Sequence, residues 1–288
     1  MISDITLGQF FPGNSALHRL DPRTKILLTI VFIVSVFLVS TPIGFLLIFA
    51  SVAAMIAVSR ISFKVILKGI KPIIYVLIFT ALINVFMTKG EGDPLVSFWI
   101  IKIYTYGIFR AIFMSLRVVF LIVGTSVLLT YTTSPISLTD GIESLLSPLK
   151  KIGVPVHVFA MMMTIALRFI PTLIEETEKI MNAQKSRGAD FSSGSIVKRA
   201  KALIPIIIPL FVSSFKRADE LAVAMECRCY RGDKNRTKLV KLSYKRLDAL
   251  WFVIGTLFLA AVIALMIVPP YLNPVLPKIL FDILFYKI

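Results

Sequence analysis

Five apolar segments recur along the chain, and each approaches the length that a membrane-spanning helix needs. They are Leu27–Ser40, Ile43–Val58, Pro72–Met87, Ile108–Tyr131 and Leu250–Val268. A helix needs about 20 apolar residues to cross the hydrocarbon core of a bilayer. The composition, with 57% hydrophobic and 17% charged residues, also differs from that of soluble domains, which are about 45–50% apolar and about 25% charged. The sequence therefore predicts an all-α, polytopic membrane protein with about five transmembrane helices.

Basic residues are concentrated on one predicted side of the bilayer. The chain has 32 Lys and Arg against 16 Asp and Glu, which is a formal net charge of +16. With the N-terminus inside and five spans, 26 of the 32 basic residues fall in inside segments, namely residues 19–25, 60–71 and 132–249. Cytoplasmic flanks of membrane proteins carry such an excess of Lys and Arg. We therefore expect a cytoplasmic N-terminus, and basic flanks that meet the headgroups of the lipid bilayer rather than nucleic acid.

Composition divides the chain into three parts. Residues 1–131 are predicted to form an N-terminal membrane domain with about four spans. Residues 132–249 mix helical apolar periodicity with many charges, which predicts a cytoplasmic domain of coupling helices. Residues 250–288 are predicted to form the last transmembrane helix and an apolar tail. Between the third and fourth spans, residues 88–107 combine turn residues with a short β-like run, which favours an external loop.

Three cytoplasmic or interfacial helices are predicted within residues 132–249. The first covers Ser137–Ile152, with Ser137 as a candidate N-cap. The other two run from about residue 155 to 187 and from about residue 195 to 230. Both of these long helices contain prolines, which we expect to kink them. A simple transmembrane bundle has no need of two long helices that leave the bilayer, so these helices are candidates for contact with partners.

The two long helices end in the same short motif. One ends in Ser186-Arg187-Gly188 and the other in Cys227-Arg228-Cys229. A positive charge is favourable at a helix C-terminus, and Gly188 and Gly232 are the residues expected to end the two helices in the left-handed conformation. An alternative is that each arginine is presented to a protein partner, because the planar guanidinium suits carboxylates and helix C-terminal carbonyls. The local sequence leaves both interpretations open.

The two cysteines, Cys227 and Cys229, are expected to be incidental neighbours of Arg228. Side chains at i and i+2 of a helix point about 200° apart, and zinc sites ordinarily use four ligands at other spacings, so we predict no metal site. Sequence motifs for a phosphate-binding loop, a zinc protease or a nucleophile elbow are absent. The predicted spans contain no Asp or Glu that could relay protons or sodium ions. We therefore predict no catalytic residue in this chain.

Four stretches of the sequence together resemble one known family. They are GQFFPGNSALHRLDPRTKILLTIVF near the N-terminus, TYTTSP at the end of the fourth span, AQKSRGADF and AMECRCYRG. Over about residues 5–268 the chain resembles the transmembrane coupling subunit, or T component (EcfT/CbiQ-like), of energy-coupling factor (ECF) transporters. The family pattern often has Ala or Ser before the arginine and Gly after it, whereas the second motif here has Cys on both sides.

The resemblance implies a non-catalytic subunit of an ATP-driven transporter in a bacterial cell membrane. Two cytosolic ABC-type ATPases bind and hydrolyse ATP, and a small membrane protein, the S component, binds a vitamin or another micronutrient. The T component joins them and transmits the ATP-driven motion of the ATPases to the S component for uptake. Since ATP binds to the partner ATPases, the resemblance implies no cofactor in this chain.

The resemblance also implies roles for named residues. The ATPase-coupling residues are Ser186, Arg187, Gly188, Cys227, Arg228 and Cys229, with Arg187 at one ATPase and Arg228 at the other. The platform for the S component consists of Leu145, Leu146, Ile174, Met181, Phe211, Phe215, Leu221 and Met225.

Two alternatives are a conventional ABC permease subunit and a stand-alone secondary transporter. A conventional permease would show one cytoplasmic coupling loop rather than two arginine-ended helices. A secondary transporter would have polar residues within its spans, and many such transporters also contain internal repeats, but the sequence shows neither.

Overall fold

The computed structural model describes residues 10–88, 96–98, 101–191, 195–230, 232 and 242–267. Helices account for nearly all regular structure in these residues, which confirms the all-α prediction. They are α1 (Pro22–Leu38), α2 (Pro42–Ser59), α3 (Phe63–Ile70), α4 (Ile74–Met87), α5 (Thr105–Thr125), α6 (Pro135–Leu146), α7 (Val156–Ser186), α8 (Ile196–Cys227) and α9 (Arg246–Ile267). Short 3₁₀ segments follow α3 and α6, at Lys71–Ile73 and Ser147–Ile152, and a π-helical turn, Ser126–Thr130, follows α5.

A small hairpin lies between α4 and α5. Strands β1 (Val96–Phe98) and β2 (Ile101–Ile103) pair antiparallel, with Val96 opposite Ile103. The hairpin falls on the short β-like run expected in the loop between the third and fourth predicted spans.

Among the described residues, five helical segments are long and apolar enough to cross a membrane. They are Pro42–Ser59, Phe63–Met87, Tyr106–Thr130, Val156–Ser186 and Arg246–Ile267. The predicted number of about five is therefore confirmed, but the set of helices differs from the prediction. The predicted first span corresponds to α1, which has only 17 residues because the chain turns between Leu38 and Pro42. The set instead contains α7, whose first half is apolar.

The described residues belong to two compact units. The first unit contains residues 135–191, 195–230 and 232, and so includes α6, α7 and α8. The second unit contains residues 10–134 and 242–267, apart from the gaps given above, and so includes α1 to α5 and α9.

The core of the second unit forms where α1, α2, α5 and α9 pack together. Its buried side chains include Val36 and Ile48, both 0% exposed, and Val262 at 2%. Gly124 of α5 faces the ring of Phe32, and a Cβ at this glycine would overlap the ring. Small residues that let helices approach closely are typical of helix packing in membranes.

A buried polar cluster lies beside this core, at the start of α1. Lys25, in the first turn of α1, is only 2% exposed. Its Nζ donates hydrogen bonds to the carbonyl oxygen of Thr132 at 2.7 Å and to Thr133 Oγ1 at 3.2 Å. Burial lowers the pKa of Lys25 from 10.5 to about 8, because desolvation disfavours the charged form. The lysine therefore connects α1 to the segment that follows α5.

A second buried residue of this cluster, Asp248, connects the chain before α1 to the start of α9. Asp248 is 2% exposed. Its carboxylate accepts a hydrogen bond from the backbone N–H of Asp21 at 2.8 Å and another from that of Lys245 at 2.7 Å. The Lys245 bond satisfies a backbone donor at the beginning of a helix, which otherwise has no intrahelical partner. Asp21 in turn caps α1 by accepting from the N–H of Arg23.

In the first unit, the first helix differs from its predicted bounds. The structure starts α6 at Pro135 and ends it at Leu146, and residues 147–152 continue as a 3₁₀ segment. Ser137 therefore lies inside the helix, and the prediction of Ser137 as N-cap is wrong. Proline suits the first position of a helix, because the N–H that it lacks would have no helical partner there. Glu143 of α6 contacts His157 of α7 through Oε1 and Nδ1, at 2.8 Å.

Candidate functional site

The end of α7 shows how the first arginine is presented. Arg187 is the residue that caps the helix, and Gly188 after it has the left-handed conformation, with φ +87°. The N–H of Gly188 donates to the carbonyl of Lys185 at 2.9 Å, and that of Ala189 donates to the carbonyl of Gln184 at 3.0 Å. These two bonds define a Schellman motif, which satisfies carbonyls that a helix end would otherwise leave unpaired.

The end of α8 has the same geometry around the second arginine. Arg228 caps the helix, and Cys229 after it is left-handed, with φ +54°. The N–H of Cys229 donates to the carbonyl of Glu226 at 2.8 Å, and that of Tyr230 donates to the carbonyl of Met225 at 3.1 Å. This is again a Schellman motif.

The prediction that Gly232 ends the third helix is therefore wrong, whereas the prediction for Gly188 is confirmed. Gly232 does have a positive φ, of +74°, but it lies three residues beyond Cys229. Glycine adopts the left-handed region at little cost, whereas other L-residues pay about 1–2 kcal/mol. Backbone propensity thus favoured Gly232 as the residue that ends the helix, but the helix ends at Cys229. The second motif carries a backbone strain that the first avoids.

Both arginine side chains are exposed at the tips of their helices. Within the part of the chain that the structure describes, neither Arg187 nor Arg228 has a side-chain hydrogen bond or an ion pair. Ser186 donates its hydroxyl to the carbonyl of Asn182 at 3.1 Å, so that hydroxyl is used inside the helix. Cys227 and Cys229 are exposed free thiols. Each motif therefore presents one unpaired guanidinium with small side chains beside it.

A polar contact joins α7 to α8. The carboxylate of Glu176 accepts a hydrogen bond from Ser213 Oγ at 2.7 Å and forms an ion pair with Arg217. This contact was not predicted from the sequence. One feature of the sequence agrees with this pairing in hindsight. Glu176 and Arg217 are 41 residues apart, and Arg187 and Arg228 have the same separation.

Ion pairs that helical spacing would favour within each long helix do not form among the described side chains. Helical spacing favoured Glu175 with Lys179 and Lys216 with Glu220, but among the described side chains neither pair comes within salt-bridge distance. These exposed side chains gain little from pairing, because water screens them and ordering them costs entropy. The charge pairing that does form is the one between the helices.

The two helical arms that lead from the Glu176–Arg217 contact to the C-terminal ends of α7 and α8 are equal in length. Arg187 follows Glu176 by 11 residues, and Arg228 follows Arg217 by 11 residues. At 1.5 Å per residue, each arm is about 16 Å long. The part of α7 before Glu176 lines a cavity of about 290 Å³ together with the part of α8 after Arg217. The two helices therefore run in opposite directions at the contact, and the two arginines lie on opposite sides of it.

The residues proposed as a platform occupy three kinds of environment. Phe211 and Phe215 of α8 are 62% and 60% exposed, with ring centroids 5.1 Å apart. Leu221 and Met225 line the cavity between α7 and α8, where they face Ile165, Phe169 and Leu173. On the other elements, Leu146 is exposed, and Leu145, Ile174 and Met181 are half-buried. Leu221 and Met225 thus hold the two long helices together as well as being candidates for contact with a partner.

Comparison with known proteins identifies the family. Residues 13–239 match the CbiQ family, described as cobalt transport protein. Among curated relatives, the chain is 53% identical to the energy-coupling factor transporter transmembrane protein EcfT of Clostridium kluyveri, over 93% of this chain and 96% of the relative. It is 54% identical to the EcfT protein of Ruminiclostridium cellulolyticum, over 91% and 97% of the two chains.

A more distant relative agrees with these matches. The chain is 46% identical to the EcfT protein of Bacillus subtilis, over 91% of this chain and 98% of the relative. These proteins share a name that describes a transmembrane transporter component, and the described part of this chain has five helices of membrane-spanning length and composition. The chain therefore belongs to the CbiQ/EcfT family of energy-coupling factor transporter transmembrane proteins.

Proposed function

We propose that this chain is the energy-coupling scaffold of an ECF transporter, and that it connects two cytosolic ABC-type ATPases to a small substrate-binding S component. The observation that carries the proposal is the pair of arginine-tipped Schellman motifs at the ends of α7 and α8. In this scheme the chain is non-catalytic, ATP binds to the partner ATPases, and the transported substrate is a vitamin or another micronutrient.

Each arginine contacts one ATPase, Arg187 the first and Arg228 the second. A guanidinium forms paired hydrogen bonds with a carboxylate or with the free carbonyls of a helix end. Both guanidinium groups lack a partner in the described residues, so binding breaks no existing ion pair. The small flanking residues let the backbone of the ATPase approach the helix tip.

Motion passes from the ATPases through the crossing of α7 and α8. When the ATPases change state, they displace the two arginine tips relative to each other. Because each arm is a helix, a displacement of its tip rotates the whole helix about the Glu176–Arg217 contact and moves the part of the helix on the other side of this contact. Because the two arms are equal in length, both helices respond to such a displacement in the same way. Coupling of this kind requires that the ATPases contact the tips differently in their two states.

The exposed apolar side chains receive the S component. Phe211 and Phe215 provide large aromatic surfaces on α8, and Leu146 adds an aliphatic one on α6. An apolar patch of this kind is typical of a surface that another protein covers. The N-terminus is cytoplasmic in this arrangement, in a bacterial cell membrane, which places the basic region that contains both arginines on the side of the ATPases.

Co-purification of the native complex tests the proposal. Tagged wild-type chain should retain two ATPases and a small hydrophobic protein, whereas Arg187→Ala and Arg228→Ala should each lose much of the ATPase. Truncating a buried charged partner at an interface typically costs about 2–5 kcal/mol, and the double variant should lose more than either single one. Lys185→Ala is the matched control, because it removes an exposed positive charge two residues from Arg187.

Two results would contradict the proposal. Full ATPase retention and full transport by the double arginine variant would remove the role of the helix tips. Isolation of the wild-type chain alone, as an ATP-independent transporter, would favour the stand-alone secondary transporter instead.

A further inference from the structure

A second pocket lies in the other compact unit, far in sequence from the two arginine motifs. It has a volume of about 420 Å³ and is formed by the loop before α1 and the turn between α2 and α3. Its apolar lining includes Phe11 and Val65, and its polar lining comes from Asn14, Ser15, His18, Ser59, Arg60 and Ser62. The pocket thus combines one guanidinium, several hydrogen-bonding groups and an apolar wall.

The loop that forms one wall is held by His18. The His18 ring contacts Ser15 Oγ through Nδ1 at 2.6 Å and the carbonyl oxygen of Phe11 through Nε2 at 2.9 Å. Gly13 packs against this ring, since a Cβ at Gly13 would lie 2.9 Å from His18 Cε1. Both ring nitrogens are therefore occupied within the loop. The histidine shapes the wall and leaves ligand contacts to the other residues.

Arg60 supplies the charge of the pocket from an unusual backbone conformation. It caps α2 with φ +57°, in the left-handed region that non-glycine residues rarely adopt. Its side chain has no ion pair among the described residues. No described carboxylate lines the pocket, and Asp21, the one acidic residue between positions 10 and 88, is paired with Arg23. The pocket is therefore a site of unbalanced positive charge.

The pocket adjoins the ends of two segments of membrane-spanning length and composition. Ser59, which lines it, is the last residue of α2, a helix of membrane-spanning length and composition. The next helix, α3, exposes Phe63 and Leu67 at 62% and 50% together with the basic residues Lys64 and Lys68. Because α3 is the N-terminal end of the membrane-spanning segment Phe63–Met87, its exposed apolar and basic side chains are typical of the place where such a segment meets the membrane interface.

We propose that this pocket binds the phosphate-bearing headgroup of an anionic phospholipid. The Arg60 guanidinium pairs with two phosphate oxygens, as this group commonly does with phosphates. Asn14 and Ser62 donate hydrogen bonds to the headgroup, and Phe11 and Val65 contact the glycerol backbone and the first acyl carbons. The proposal is independent of the ATPase-coupling function, because it uses none of the same residues.

Native mass spectrometry of the purified full-length chain in detergent tests the proposal. The probes are phosphatidylglycerol and phosphatidylcholine of equal acyl length, added separately, and the readout is the fraction of protein that retains one lipid. We expect wild-type protein to retain phosphatidylglycerol in preference to phosphatidylcholine. Arg60→Asn should lower the retained phosphatidylglycerol about tenfold, because it removes charged hydrogen bonds. Asparagine tolerates the left-handed conformation, so this variant keeps the turn.

Matched variants separate a built site from general attraction to positive charge. Lys68→Gln removes one exposed charge from α3 outside the pocket and should leave retention unchanged, and Arg60→Lys should restore part of it. Equal retention of the two lipids, wild-type retention by Arg60→Asn, or an equal loss in Lys68→Gln would overturn the proposal. Displacement of the lipid by millimolar inorganic phosphate would also overturn it, by showing that the pocket recognises free phosphate rather than a lipid.

Discussion

Replacing Cys229 by glycine should stabilise the end of α8. Cys229 occupies the left-handed position of a Schellman motif with φ +54°, and the corresponding residue of α7 is already glycine. The left-handed conformation costs a non-glycine residue about 1–2 kcal/mol. Glycine removes this cost. It also gives the unfolded chain more conformational entropy, which lowers the stability of the folded state by about 0.4–1 kcal/mol. The free energy of local opening of the helix end should therefore rise by about 0.5–1 kcal/mol in Cys229→Gly.

Amide hydrogen exchange measures this effect where it occurs. The amides of Cys229 and Tyr230 donate the two hydrogen bonds of the motif, at 2.8 and 3.1 Å. An increase of 0.5–1 kcal/mol corresponds to roughly two- to fivefold slower exchange of a peptide that covers residues 224–230. Exchange at the start of α8, around Ser195, should stay unchanged and serves as the internal reference.

The reverse substitution at the other helix is the matched control. Gly188 has φ +87°, and nothing lies within 4 Å of the position that its Cβ would take. Gly188→Cys therefore introduces backbone strain without a steric clash, and exchange at the end of α7 should become faster by a similar factor. Unchanged or faster exchange in Cys229→Gly, or unchanged exchange in Gly188→Cys, would refute the assignment of strain to the second motif.

Three further predictions concern other contacts. Glu176→Gln should leave the ATPases bound but lower uptake per ATP hydrolysed, measured in proteoliposomes of the complex, and the charge-swapped double variant Glu176→Arg/Arg217→Glu should recover part of it. The pKa of Lys25 is 10.5 in the unfolded chain and about 8 in the folded chain, so between these pH values the unfolded chain holds a proton that the folded chain has released. The free energy of unfolding should therefore rise by up to about 3 kcal/mol as the pH increases from about 8 to 10.5. Thermal unfolding in detergent should show this rise in wild-type protein and not in Lys25→Met. Gly124→Ala should destabilise the second unit by about 1–3 kcal/mol through overlap with Phe32, whereas wild-type melting temperature in this variant would contradict the close packing of α1 and α5.

Features that depend on local chemistry were predictable. Apolar segments of about 20 residues favour helices in a bilayer, because only internally hydrogen-bonded structure satisfies the backbone there. The ends of the long helices near Ser186 and Cys227 were also predicted to within about three residues. The N-cap of α8 is also set by local chemistry, since the side chain of Ser195 accepts a hydrogen bond from the N–H of Lys198.

Features that depend on contacts between distant residues required the tertiary structure. Glu176 and Arg217 each have nearer partners in sequence, and only the crossing of α7 and α8 selects the pair that forms. Lys25 appears in the sequence as one more basic flanking residue, yet packing against the segment after α5 buries it completely.

The sequence by itself determined that this chain is a helical membrane protein with two arginine-ended helices, because helix periodicity, apolar length and cap residues act over a few residues. The tertiary structure decided that the two arginines occupy equivalent caps at equal distances from one interhelical ion pair. It also decided that Cys229 bears the left-handed turn and that Arg60 lines a carboxylate-free pocket in the described residues. The ion pair and the pocket arise from packing between segments far apart in the chain, which local propensity does not encode, whereas the turn at Cys229 is a local hydrogen-bonded cap at a residue whose own propensity disfavours it.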